Sequence, residues 1–150
     1  MHRRRDLLAR FALLSLAFAA APAAALDFRS VGENPAILYD GPTHTANKLY
    51  VVNRGYPLEV VVTVEGWIKV RDANGAFSWV EAKQLTDKRT VMVKVPVADV
   101  RTKPEDNAPV AFQAQQNVLL DLVGVNGGWV QVRHRDGGTG YVKVRQVWGV

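Results

Sequence analysis

The chain has 150 residues, 48% of them hydrophobic, with no cysteine, so disulfides, thiolate metal sites and a cysteine nucleophile are excluded. The formal charge of +5 points to an anionic partner only until it is located. Four arginines and one aspartate in Met1–Ala25 supply +3, leaving +2 for the rest, which gives no electrostatic case for nucleic-acid binding.

Residues 1–25 have the three parts of a secretory signal peptide. Arg3, Arg4, Arg5 and Arg10 are basic, Phe11 to Ala21 is apolar, and Ala23-Ala24-Ala25 fits an A-x-A cleavage site. The apolar run is shorter than the roughly 20 residues that span a bilayer. The expectation is therefore export, cleavage after Ala25, and a soluble product, periplasmic or otherwise exported, with no stable membrane anchor.

Residues 26–35 form a lead-in segment broken by Gly32, Asn34 and Pro35. Two copies of one unit follow. Residues 36–85 match residues 98–147 at a constant offset of 62 without insertion or deletion, and the second unit is taken to extend to residue 150. Twelve positions are identical at that offset, among them Gly66/Gly128, Trp67/Trp129, Arg71/Arg133 and Gly75/Gly137, so the chain contains a duplication. In each copy a short strand, a proline-containing loop and a long β-branched strand (Leu58 to Val64, Leu120 to Val125) lead into a hairpin. Asn74-Gly75 and Asp136-Gly137 supply the positive φ that tight hairpin turns require. Residues 86–97 form a connector in which Thr90–Val95 reads as a further strand, stopped by Pro96 and placed at the seam between the copies. Helical periodicity is nearly absent, apart from a single tight turn around Ala82 to Leu85.

The hairpin carries Gly128-Trp129, Val132, Asp136-Gly137 and Gly140-Tyr141-Val142, and its earlier copy has Gly66-Trp67, Val70, Asn74-Gly75 and Ser78-Trp79-Val80. This pattern resembles the bacterial SH3-like (SH3b) family; repeat two matches fully, while repeat one has Ser78 where a glycine is expected. The resemblance implies an all-β fold of two tandem SH3-like small β-barrels, packed together because each is near the lower size limit for a self-sufficient core. It also implies binding of cell-wall peptides or envelope proteins. Ala36-Ile37-Leu38-Tyr39-Asp40 resembles the opening of eukaryotic SH3 domains, but Arg101 replaces the tyrosine in repeat two. The tyrosine of the closing helical turn has no counterpart, which argues against a proline-rich ligand.

Strand alternation puts Ile68 and Val70 on one face and Trp67, Lys69 and Arg71 on the other; Val130 and Val132 oppose Trp129, Gln131 and Arg133 in the same way. The tryptophans thus stand on the polar face. There they serve either as platforms for a peptide or sugar ring, with Arg71 or Arg133 reaching a carboxylate, or as packing residues that cover the open end of the barrel or lie against the other repeat. The candidate ligand-binding residues are Tyr39, Trp67, Arg71, Trp79, Trp129, Arg133 and Tyr141, with repeat one expected to bind more tightly because it adds Tyr39. His44 and His134 sit at unmatched positions and read as surface residues. No serine, histidine and carboxylate set, phosphate loop or metal-ligand spacing is recognisable, so neither enzyme activity nor a cofactor is expected. Two functions remain: an envelope module that binds peptidoglycan peptides or an envelope protein segment, and an adaptor that joins an envelope partner through a sheet edge or the inter-repeat surface.

Overall fold

The computed structural model describes residues 25–150; the signal-peptide reading, apart from Ala25, lies outside the described residues. The first repeat contains β1 (Phe28–Val31), β2 (Ala36–Tyr39), β3 (Lys48–Val52), β4 (Pro57–Val64), β5 (Trp67–Arg71), β6 (Phe77–Glu81) and β7 (Leu85–Thr86), with a single 3-10 turn at Ala82–Gln84. The second contains β8 (Thr90–Val93), β9 (Val97–Arg101), β10 (Val110–Gln115), β11 (Leu119–Asn126), β12 (Trp129–Arg133), β13 (Thr139–Lys143) and β14 (Val147–Trp148), with its 3-10 turn at Val144–Gln146. The segment read as a lead-in thus contributes β1, and the connector contributes β8. Each is the first strand of its sheet.

The sheets are antiparallel and equivalent, in the orders β3-β2-β6-β5-β4-β1-β7 and β10-β9-β13-β12-β11-β8-β14. Small β-barrels were expected, but both sheets are open. Closure would need the free edges of β3 and β7 to pair, but β7 is two residues long and four of the five residues of β3 are exposed, so β3 stands away from the core. The sheets curl nevertheless. A β-bulge interrupts the long strand at equivalent places, between Val60 and Val62 and between Leu122 and Gly124. Bulges bend a strand and raise its twist, so Leu58 lies fully in the core while Val61, Val62 and Val64 project into solvent.

The alternation in the central hairpin is explicit. Ile68, Val70 and Val80 are completely buried with Val31, Ala36, Leu38 and Leu58 in one cluster, and Val130, Val132 and Val142 with Val91, Val93, Val100 and Leu120 in the other. The turns are held by their acids: Asp72 Oδ1 accepts hydrogen bonds from the amides of Asn74 (2.9 Å) and Ala76 (3.0 Å), and Asp136 Oδ1 from that of Gly138 (2.9 Å). Gly75 and Gly137 take the expected positive φ, 84° and 97°.

Candidate ligand-binding faces

The outer face of the first hairpin pairs Trp67 with Glu81, Lys69 with Trp79 and Arg71 with Phe77 across the strands. At the Trp67 end, β2 supplies Tyr39, whose ring meets the indole edge-on at 5.4 Å, and the following loop supplies His44, whose ring centre lies 5.1 Å from the indole. His44 Nε2 lies 2.9 Å from Glu81 Oε1, and Lys83 Nζ reaches Oε2 at 3.1 Å. The hydrogen bond from His44 is the main reason the Glu81 carboxyl titrates below its usual range, with Lys83 adding to it. Tyr39 is almost fully buried and Trp67 half-buried, so the two rings are partly a packed lid and partly a surface.

Arg71 does not join this group. It lies at the far end of β5, where its guanidinium grips the buried carboxylate of Glu59 through Nε (2.6 Å) and Nη2. The indole of Trp148, from the second repeat, lies 5.7 Å from the guanidinium carbon. Trp79 is half-buried on the same face as Trp67, in register with Tyr39 on one side and Lys69 on the other.

The equivalent face of the second hairpin carries different chemistry at the same positions. Arg101 stands for Tyr39, Asp106 for His44, Lys143 for Glu81 and Arg145 for Lys83. The loop-to-strand ion pair persists with its sense reversed: Asp106 Oδ1 now accepts from Lys143 Nζ, which also lies 5.6 Å from the Trp129 ring centre. That bond holds the Asp106 carboxyl below its usual titration range. Beside Trp129 is an open depression of ≈ 380 Å³, bordered by Asp106, Gly128, Lys143 and Arg145. Tyr141 faces the same side, in register with Gln131 and Arg101. Arg101 is anchored by the carbonyl of Ala108 (2.8 Å) and Asp99 (3.5 Å). Arg133, like its equivalent Arg71, lies at the other end of the hairpin from the tryptophan.

The structure therefore brings together Tyr39, Trp67 and Trp79, and separately Trp129 and Tyr141, and leaves Arg71 and Arg133 outside both groups. The sequence reading did not assign His44, Glu81, Arg101, Asp106, Lys143 and Arg145 to these faces. A signal for four of them was present in the 62-residue register, where positions 44 and 106 exchange a histidine for an acid while positions 81 and 143 exchange an acid for a lysine.

A third feature is the seam between the repeats. Thr90 Oγ1 donates to the carbonyl of Gly55 and shares a 2.8 Å hydrogen bond with Ser30 Oγ. Trp148 crosses over to the first repeat, its Nε1–H donating to the Pro57 carbonyl (3.0 Å) and its ring meeting Phe28 edge-on at 5.0 Å. On the other side of the Thr90 contact lies a cleft of ≈ 690 Å³, lined from both repeats by residues that include Arg54, Thr86, Lys88, Leu119, Asp121 and Arg133.

The family model described as bacterial SH3 domain matches the chain twice, over residues 32–87 and 94–149. The chain belongs to that family. Among solved structures this tandem bacterial SH3 chain is similar to NlpC1 from Trichomonas vaginalis, at 15% identity over 88% of this chain and 49% of that one with a TM-score of 0.40. It is also similar to NlpC2 of the same organism (15%, 84% and 49%, TM-score 0.39). A third similar structure is an NlpC/P60 family protein from Bacillus cereus ATCC 10987 (15%, 81% and 56%, TM-score 0.36). The bacterial SH3 chain spans about half the length of these structures. No curated protein matches it. Bacterial SH3 domains are non-catalytic binding modules, and among the described residues no group of three or more histidines, aspartates or glutamates could hold a metal ion. Among the described residues no helix is long and apolar enough to cross a membrane.

Proposed function

We propose that the protein is a non-enzymatic binding module of the cell envelope that takes carboxylate-bearing peptides of the cell wall on its Trp129 face. One observation carries this reading: at the position where repeat one packs Tyr39 and His44 against its tryptophan, repeat two leaves an open depression beside the indole, bordered by Lys143 and Arg145. Lys143 is engaged by Asp106, whereas Arg145 is exposed and makes no ion pair among the described residues. An aromatic face beside a free guanidinium suits a peptide that stacks on the ring and ends in a carboxylate. This shifts the expected binder from repeat one to repeat two, because Tyr39 is occupied in packing.

Sedimentation with purified cell-wall sacculi tests the proposal. The protein should sediment with the wall, and Trp129→Ala and Arg145→Glu should each weaken binding about tenfold while unfolding as cooperatively as the parent. Wild-type binding by both variants overturns it. The mature exported protein is expected to begin at Leu26; a chain from the periplasmic fraction still beginning at Met1 refutes the cleavage reading.

The adaptor reading is favoured by one observation. Among the described residues, edge strand β3 is unpaired on its outer side and exposes Leu49, Tyr50 and Val51, which offers a partner strand both main-chain groups and apolar contacts. A protein that stays in the supernatant with sacculi but captures an envelope protein, and loses it on Val51→Pro, would establish this reading in place of wall binding.

A further inference from the structure

The two repeats meet by exchanging equivalent positions, as the halves of a twofold pair do. Positions 28, 57 and 71 of the first repeat receive position 148 of the second. The corresponding positions 90, 119 and 133 of the second line the cleft with position 86 of the first, which is the equivalent of 148. The two sides differ in what fills them. On one side Trp148 occupies the socket, with its ring on Phe28, its N–H on the Pro57 carbonyl and Arg71 over its face. On the other side that position is Thr86, and the socket is the ≈ 690 Å³ cleft, a size typical of ligand sites.

The charges differ as well. Arg71 is neutralised by Glu59, its cross-strand neighbour. Arg133 has Asp121 opposite it in the same register, but Asp121 pairs with Lys88 at 3.3 Å. The remaining acid of the cleft, Glu33, pairs with Arg54 at 2.9 Å, and His134 Nδ1 lies 3.0 Å from Asp136. Arg133 and Arg135 are left exposed at the cleft with no ion-pair partner among the described residues.

We propose that this cleft receives an aromatic side chain with a neighbouring carboxylate, presented by a segment of a partner protein. The ring takes the place that Trp148 fills on the other side, beneath Arg133, and the carboxylate meets Arg133 and Arg135. A protein segment is the occupant because the internal template is itself a chain segment, Trp148 carried on a two-residue strand. The site is separate from the Trp129 face and goes beyond the wall-binding reading.

N-acetyltryptophan, which carries both an indole and a carboxylate, is the minimal probe. It is titrated into the purified protein to about 10 mM, the range where such small ligands bind, while backbone amide shifts are followed by NMR. Shifts should centre on Gly55, Thr86, Thr90, Leu119 and Arg133 to Arg135. N-acetylalanine and N-acetyltryptophan amide, which lack the ring and the carboxylate respectively, should each bind several-fold more weakly. Arg133→Ala should lose about tenfold. Thr86→Trp, which fills the cleft from within, should abolish the shifts while leaving the melting temperature at or above that of the parent. Any of three results overturns the proposal: no shift, shifts centred on Trp129 or Trp67, or unchanged binding by Arg133→Ala and Thr86→Trp. Equal shifts with inorganic phosphate also overturn it, since a plain anion site needs no ring. Loss of wall sedimentation on Trp129→Ala with the cleft shifts intact would show the two sites to be independent.

Discussion

Replacing Trp148 with alanine tests whether one side chain holds the repeats together. The indole contributes three things to the first repeat: an edge-on contact with Phe28, a hydrogen bond to the Pro57 carbonyl, and a face under Arg71. A fully buried aromatic truncation costs about 3 to 5 kcal/mol. Trp148 is partly exposed, which places it at the low end, so about 3 kcal/mol is expected with the hydrogen bond (about 1 kcal/mol) included. For a chain of this size, that corresponds to a fall in melting temperature of about 10 °C. Trp148→Phe keeps the ring contact and loses the N–H, so it should cost only about 1 kcal/mol. Thr86→Ala, at the equivalent position, should stay within about 0.5 kcal/mol because Thr86 fills no socket. Differential scanning calorimetry of the three variants measures these values, and the alanine variant should also shift the amide signals of Ser30, Gly55 and Thr90. A fall below about 2 °C for Trp148→Ala, or equal losses for alanine and phenylalanine, would refute the assignment of Trp148 as the seam's anchor.

Four further outcomes follow from the contacts described above. Glu59→Gln should cost about 1 to 3 kcal/mol by leaving Arg71 without its partner, whereas Asp121→Asn, which breaks only an exposed pair with Lys88, should cost under about 1 kcal/mol; urea unfolding checks both. Ser78 Oγ is buried without a hydrogen-bond partner among the described residues, so Ser78→Ala should stabilise by about 1 kcal/mol. A Cβ at the equivalent Gly140 would lie 2.6 Å from the Arg101 carbonyl oxygen, so Gly140→Ser should destabilise by at least about 2 kcal/mol in the same assay. Glu81 is held below its ordinary titration range chiefly by His44, so their bond adds stability above about pH 4 to 5, lost as acid takes the pH down through the lowered value. In His44→Ala the Glu81 carboxyl carbon should titrate at higher pH by NMR, and an unchanged titration would refute the assignment.

Local order in this chain was legible because it rests on local chemistry. The face of each hairpin residue follows from strand alternation, and the turns follow from Asn-Gly and Asp-Gly. The strand β1 was missed because Phe28-Arg29-Ser30-Val31 has only one polar pair between its apolar ends, yet the 62-residue register maps it onto Thr90–Val93, which did read as a strand. Barrel closure was misjudged because it depends on pairing between β3 and β7, whose separation in the chain leaves no local trace. Arg71 and Arg133 were grouped with the tryptophans because they share a face, but sharing a face over four residues of strand still places them more than about 10 Å apart. The seam was only partly visible: no sequence period announces that Trp148 of one repeat lies on Phe28 of the other.

The seam also constrains how the two copies came to differ. A single module associating with an identical partner has both sockets filled or both vacant, because symmetry gives each the same side chain. Joining two modules in one polypeptide removes that constraint, and position 148 can carry a tryptophan while position 86 carries a threonine. One socket is thereby released from its structural duty while the other keeps the assembly intact. Because the two copies lie in one chain, the seam can keep its anchor on one side and present an open recognition surface on the other.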